Sequence, residues 1–156
     1  MLIYEVPGRG RMEIENVVFD YNGTLAIDGK LILDIKELLL KLKKRAKVVV
    51  LTADTYGSVR KECSFLGEAV MAFPREGASK AKREIVEKLG ASRTICIGNG
   101  FNDIEMFKIA ALSIAVIERE GCSGRLLTYA DIVVTSIQDA MEIILSPNRI
   151  KATLRT

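Results

Sequence analysis

Short apolar runs punctuate the chain at 17–19 (V-V-F), 48–51 (V-V-V-L), 69–73 (A-V-M-A-F), 94–97 (T-I-C-I), 113–117 (S-I-A-V-I) and 131–134 (D-I-V-V). Runs this short and this continuously apolar predict strands covered on both faces. Between them, apolar residues recur at helical spacing over roughly 33–45, 57–66, 78–89, 102–110, 121–129 and 136–145. Strict alternation of buried strand and amphipathic helix predicts an α/β fold of three layers, a Rossmann-like parallel sheet with helices on both faces. The first stretch differs: L-I-Y-E-V-P-G-R-G-R-M-E-I-E alternates apolar and polar residues about a P-G-R-G turn, which predicts an N-terminal β-hairpin. No internal repeat, low-complexity linker or second domain interrupts the pattern. The chain therefore reads as one domain, with a hairpin over 1–15, a core over 16–145 and a tail over 146–156.

Composition narrows the chemistry. A length of 156 residues suits one domain with a real core. The net charge of +3, spread over mixed signs, disfavours nucleic acid and anionic membranes as partners. The run K-L-K-K-R-A-K at 41–47 looks basic but closes a helix, where cations complement the dipole. Cys63, Cys96 and Cys122 are odd in number and lack C-x-x-C spacing, so they read as reduced thiols in a reducing compartment. With no signal peptide and no apolar run approaching about 18 residues, a soluble, cytoplasmic protein is expected. The chain has no histidine, which excludes a Ser-His-Asp triad, a Cys-His pair and His-ligated zinc. What remains is carboxylate, Lys and Thr chemistry, or a metal bound through oxygen.

In an open α/β sheet, ligands bind beyond the carboxyl ends of the strands, so the residues at those ends matter most. The first core strand ends on Asp20, the next on Thr52-Ala53-Asp54, and the run at 94–97 enters G-N-G-F-N-D at 98–103; Lys80 and Lys82 open a helix after G-A-S. Singly, each has a plain structural reading. Asp20 suits a turn, Thr52 a helix N-cap, Gly98 and Gly100 a tight loop, Lys80 a solvated helix face, and Asp54 either the T-A-D motif or a cap. Together they would set carboxylates, a hydroxyl, backbone amides and an ammonium around one crevice. That set suits a phosphoryl group, with a carboxylate to attack phosphorus and cations to neutralise the equatorial oxygens.

The ordered set D-x-x-G-T, L-T-A-D, a helical Lys and G-x-G-x-N-D resembles the haloacid dehalogenase superfamily of aspartyl-nucleophile phosphotransferases. It is most similar to the phosphorylation domain of P-type ATPases and to small soluble P-type-ATPase-like proteins, over about residues 16–145. The resemblance implies that Asp20 is the nucleophile that becomes an aspartyl-phosphate, with Asn22 beside it giving its backbone carbonyl to Mg²⁺. It implies that Gly23 and Thr24 shape the phosphate turn, and that Thr52, the Ala53 amide and Asn102 hold phosphoryl oxygens. Lys80 would counter charge, with Lys82 as its rival, and Asn99 and Asp103 would serve the metal together with Asp20.

Two positions depart from the family pattern. Phosphatases of the superfamily usually carry a second Asp as general acid and base where this chain has Asn22, and an amide cannot move that proton. The loss of general acid–base help, worth typically 10²–10⁴-fold, implies slow hydrolysis of simple monoesters. The P-type pumps also lack that acid. Asn99 stands where the family usually places the main Mg²⁺-binding Asp, and a lost negative charge weakens a hard-cation site. No cap insertion is expected, since one helix lies between Thr24 and Thr52 and only a helix and a strand between Asp54 and Lys80. An open site calls for a phosphorylated small molecule, an exposed phosphate on a larger partner, or a lid lent by another copy, for which the hairpin edge is a candidate. The expected function is a Mg²⁺-dependent phosphohydrolase or phosphotransferase acting through Asp20. The alternative is a phosphate-binding or regulatory module that kept the pocket and lost turnover.

Overall fold

The computed structural model describes residues 1–53 and 58–156, so Asp54 lies outside the described residues. Two strands, β1 (Leu2–Val6) and β2 (Gly10–Ile14), form the antiparallel N-terminal hairpin, with Leu2 opposite Ile14 and Val6 opposite Gly10. The core strands are β3 (Asn16–Asp20), β6 (Lys47–Thr52), β7 (Val70–Ala72), β8 (Thr94–Gly98), β9 (Leu112–Val116) and β10 (Ile132–Val134). They form one sheet in the order β10-β9-β8-β3-β6-β7, and every pairing in it is parallel. All residues of β3, β8 and β9 are buried, as strands covered on both faces must be.

The helices are α1 (Lys36–Lys43), α2 (Ser58–Glu62), α3 (Ala78–Leu89), α4 (Ile104–Phe107), α5 (Gly124–Leu127), α6 (Ile137–Leu145) and α7 (Pro147–Leu154). Side-chain alternation along the strands divides the core in two. Val17 and Phe19 of β3 face a layer built from the hairpin, α1, α6 and α7. Val18 faces the other layer, where Ala78 and Val86 of α3 meet Ile104, Met106 and Phe107 of α4 and Leu126 of α5. Asp20, two residues beyond Val18, falls on the α3 side by the same alternation.

The hairpin belongs to the core. Leu2, Tyr4 and Val6 are buried against the α6–α7 layer, and the Tyr4 hydroxyl donates to the Ile144 carbonyl at 2.6 Å. The stretch expected as a tail forms α7, whose Ile150 and Leu154 are buried beneath the hairpin. A second small hairpin was not anticipated: β4 (Ala26–Ile27) pairs antiparallel with β5 (Lys30–Leu31). Its turn places Asp28 and Gly29 at φ of 52° and 78°, the left-handed pair that an Asp-Gly hairpin turn requires. The region between Thr24 and Thr52 thus holds a hairpin as well as a helix, and α1 starts at Lys36, after Asp34 has also turned left-handed.

Sheet order creates the crevice. From β3 the chain steps outward through β6 to β7, then α3 carries it back across the sheet to β8 on the far side of β3. The loops leaving β3 and β8 diverge at this switch point. Register aligns their tips: Asp20 lies opposite Leu51, with Thr52 one step on, while Phe19 lies opposite Ile97, with Gly98 one step on. If the N-terminal hairpin is core, Tyr4→Ala should cost about 3–5 kcal/mol, the range for aromatic truncation in a core. Ile3→Ala, on the outward face of the same strand, should change stability by less than about 0.5 kcal/mol. Urea denaturation of the two variants distinguishes a core strand from a loosely attached arm.

Candidate active site

Helix α3 decides which lysine reaches the strand tips. Its buried residues are Ala78, Lys82 and Val86, a spacing of four that keeps one stripe on the sheet. Lys80 is two positions, about 200°, round the helix from Lys82. Its side chain is 83% exposed and its ammonium lies 3.8 Å from Glu84. Lys80, expected at the phosphate, therefore stands in solvent, and Lys82 takes the place for which it was the rival. The Lys82 side chain is 1% exposed.

The ammonium of Lys82 has three N–H donors, and three oxygens meet them: Asp20 Oδ1 at 2.8 Å, Asp103 Oδ1 at 2.6 Å and Asn102 Oδ1 at 2.9 Å. Two carboxylates against one ammonium leave one excess negative charge under a low-dielectric roof. Burial first, and then the like charge of Asp103, push the Asp20 carboxyl up to about 7 against the pull of Lys82. Burial also works against the Lys82 charge, but Asp103 and Asp20 outweigh it and hold the ammonium above its ordinary range.

Asp103 organises the loop after β8. Its Oδ2 accepts from the backbone amides of Asn99 at 3.1 Å and Gly100 at 2.9 Å, and the residue is fully buried. A side chain at Gly98 would collide with this carboxylate, its Cβ falling 2.4 Å from Oδ2. Asp103 was expected among the metal ligands. Both of its oxygens accept from protein donors, so it supports the loop that carries Asn99, and it does not itself line the crevice.

The turn after β3 packs against the same loop. The amides of Thr24, Leu25 and Ala26 all donate to the Tyr21 carbonyl, and Gly23 N–H donates to the Ala26 carbonyl. These bonds leave the Asn22 carbonyl outside the turn's own pattern, and the Asn22 side chain is exposed at the mouth. Buried Thr24 donates its hydroxyl to Asn99 Oδ1 at 3.2 Å. Thr52 is buried at the tip of β6, and Ala53 is half-buried beside it. Asp20, Asn22, Ala53, Lys82, Asn99, Gly100, Phe101 and Asn102 line a crevice of about 370 Å³.

The crevice can hold Mg²⁺ through oxygen alone. The Asp20 carboxylate, the Asn22 carbonyl and the Asn99 amide oxygen are hard donors, and Mg²⁺ needs one or two carboxylates with waters and substrate phosphate completing its shell. The set is thin in charge. Among the described residues no group of three or more acidic, cysteine or histidine side chains is gathered as for a protein-only metal cage. Nor, among those residues, is any helix long and apolar enough to cross a membrane.

Residues 2–111 match the family model of haloacid dehalogenase-like hydrolases. The chain is 43% identical over 79 residues to the uncharacterized protein MJ0073 of Methanocaldococcus jannaschii, a match spanning 48% of this chain and 85% of that protein. It is 26% identical over 123 residues to a protein of the same organism named soluble P-type ATPase-like phosphatase, covering 77% of this chain but 45% of that protein's length. Among solved structures it is similar to 3-deoxy-D-manno-octulosonate 8-phosphate phosphatase of Moraxella catarrhalis, seen with magnesium and phosphate ions and the sugar acid. That likeness has a TM-score of 0.71 at 19% identity and covers 89% of this chain and 90% of the other.

Breaking the buried triad should be costly. Lys82→Ala leaves two carboxylates uncompensated and should destabilise by about 3–5 kcal/mol. Lys80→Ala should stay within about 0.5 kcal/mol of wild type. Equal chemical denaturation midpoints for the two variants would contradict the burial of the triad.

Proposed function

The chain belongs to the haloacid dehalogenase-like hydrolases, and from that premise we propose that it is a phosphatase or phosphotransferase working through an aspartyl-phosphate on Asp20, with Mg²⁺ as cofactor. The observation that carries this reading is the Asp20 carboxylate at a strand tip, 11% exposed, gripped by Lys82 at 2.8 Å and open to the crevice. A carboxylate held in this way meets the geometric need of a nucleophile, since one face is fixed and the other is presented to a substrate.

In the proposed reaction a carboxylate oxygen of Asp20 bonds to phosphorus as the bond to the leaving oxygen breaks. Water then attacks the phosphorus of the aspartyl-phosphate, releasing phosphate and restoring the carboxylate. Lys82 keeps Asp20 oriented and sets a positive charge beneath the developing phosphoryl charge. Its N–H to Asn102 is the bond most easily exchanged for a phosphoryl oxygen, because Asn102 is exposed whereas Asp103 is buried. Thr52 and the Ala53 amide, at the tip of β6, would orient the remaining oxygens. Bound at Asp20, the Asn22 carbonyl and Asn99, Mg²⁺ would supply further neutralisation of the phosphoryl oxygens.

Substrate choice follows from openness and from Asn22. Among the described residues nothing in the crevice lining closes over its mouth, which suits a phosphorylated small molecule or a phosphate exposed on a larger partner. With an amide at the mouth, leaving groups that depart without a proton, such as acyl or aryl oxyanions, are favoured over alkoxides. The phosphate-binding module is the second reading, favoured by that same exposed amide.

Phosphatase activity measured with Mg²⁺ should disappear in Asp20→Asn, which keeps size and removes the attacking charge. Equal turnover by wild type and this variant would sink the assignment. Asn22→Asp should accelerate release of poor leaving groups such as sugar alkoxides, by up to the roughly 10²–10⁴ of general acid catalysis. Aryl phosphates should gain less in the initial burst, although breakdown of the aspartyl-phosphate can quicken for both. Burst and steady-state rates at saturating Mg²⁺ separate the two steps. No gain in either phase would favour the binding module.

A further inference from the structure

Beside the crevice lies a second cavity, and Phe101 is the wall between them. The residue lines the crevice with Asp20 and Lys82, and it also lines a cavity of about 300 Å³ with Arg125, Tyr129 and Lys108. Its side chain is 69% exposed, the most exposed aromatic ring among the described residues. A lone exposed ring is ordinary on a surface, but this one is pinned from both sides. Gly100, before it, donates its amide to Asp103 Oδ2 at 2.9 Å, and Asn102, after it, accepts from the Lys82 ammonium at 2.9 Å. The bonds that build the floor of the crevice thus hold the ring at its rim. The other wall of the cavity is tied to the same floor through Asn99, whose carbonyl accepts the Ser123 amide at 2.8 Å and whose Nδ2 donates to the Gly121 carbonyl at 3.1 Å. These bonds seat the loop that leads into α5, where Leu126 is buried and Arg125 is exposed beside the cavity.

The cavity is positive in charge. Glu105 is the one acid among its described lining residues, and it is already met by Lys108 at 2.6 Å and Arg83 at 3.2 Å. The Lys108 ammonium also lies 5.2 Å from the centre of the Tyr129 ring. Arg125 makes no ion pair among the described residues, so its guanidinium is available to an incoming anion. Ser79, in the first turn of α3, completes the lining at the positive end of that helix's dipole. We infer that this cavity is the subsite for the leaving group of the substrate, and that the leaving group is an aromatic ring bearing an anionic substituent. The ring lies against Phe101 while its phosphate reaches Asp20, and the anion meets Arg125. This assignment rests on the phosphate-transfer reading of the crevice and narrows its substrates to anionic aryl phosphates. The chemistry agrees with the exposed amide of Asn22. As the bond from Asp20 to phosphorus forms, the aryl oxygen departs with the electron pair of the breaking P–O bond, as a phenoxide that needs no proton from Asn22.

Two matched substrates test it on the whole chain. One is 3-(4-phosphonooxyphenyl)propionate and the other its neutral counterpart 4-propylphenyl phosphate; the methylene spacer insulates the phenol from the carboxylate, so leaving-group acidity is the same. With Mg²⁺, kcat/KM should favour the carboxylated substrate by about three- to fivefold, the scale of one exposed ion pair. Arg125→Gln should bring that ratio close to one. Lys151→Gln removes an exposed cation from α7 on the opposite layer, and should leave the ratio intact. Phe101→Ala should lower kcat/KM on both aryl phosphates by about three- to tenfold, and more than on acetyl phosphate, which has no ring. Where turnover is absent, the Kd values of the matching arylmethylphosphonates, measured by calorimetry, should show the same ratios. Equal values for the two ligands, a preference that survives Arg125→Gln, or one that is lost with Lys151→Gln overturns the subsite and leaves the Asp20 reading standing. Phosphonates that show the preference with no turnover of any phosphate support the subsite and overturn the Asp20 reading. Neither binding nor turnover overturns both.

Discussion

One buried ammonium organises this protein. Lys82 lies beneath the sheet tips with its N–H donors on Asp20, Asn102 and Asp103, and each contact fixes a different piece of chain. Through Asp20 it anchors the end of β3, and through Asn102 and Asp103 the loop after β8. Burying a charge of this kind is tolerable only when it is paired and fully hydrogen-bonded. Here the pairing is overdone by one carboxylate, and the excess negative charge is felt at Asp20, the one carboxylate of the triad that borders the crevice. The same imbalance leaves a carboxylate of raised pKa at the strand tip, bordering the crevice.

The remainder of the site is built on neutral groups. Asn99 joins three loops through its amide and backbone, and Asn22 occupies the mouth without a proton to give. Both positions hold amides where a hydrolytic member of the family would usually hold acids. The outcome is a crevice with a firm floor, an open mouth and little negative charge of its own. The loops around it are held together by hydrogen bonds among Thr24, Asn99, Gly121 and Asp103.

Much of this was legible in the chain. The sheet strands could be read from apolar runs because a strand covered on both faces has no polar side to disguise it. Asp20, Thr52 and the G-N-G-F-N-D loop were legible because strand ends are where such a sheet places its chemistry. The lysine was not resolved, although Ala78, Lys82 and Val86 form an i, i+4, i+8 stripe that marks Lys82 as the inward residue. A lysine within an apolar stripe reads first as a solvated one, and only a carboxylate above it changes that reading. The β4–β5 hairpin had its own signal in A-I-D-G-K-L, masked by the helical periodicity that follows it. The α7 helix was hidden because a short amphipathic segment has no stability until a partner buries its face.

By itself, then, the sequence determined the core strands with the helices between them, their parallel arrangement and the residue types gathered at the strand tips, all of which depend on local spacing and on burial that leaves a periodic trace. Tertiary structure decided which lysine is paired, that Asp103 serves the loop, and that Asn99 is a clamp. Those facts depend on contacts between segments far apart in the chain, such as 62 residues from Asp20 to Lys82 and 22 from Asn99 to Gly121. Such contacts are set by the angle at which α3 crosses the sheet and by the loops that diverge at its centre. No pattern within a single segment encodes a hydrogen bond whose partner lies across a fold.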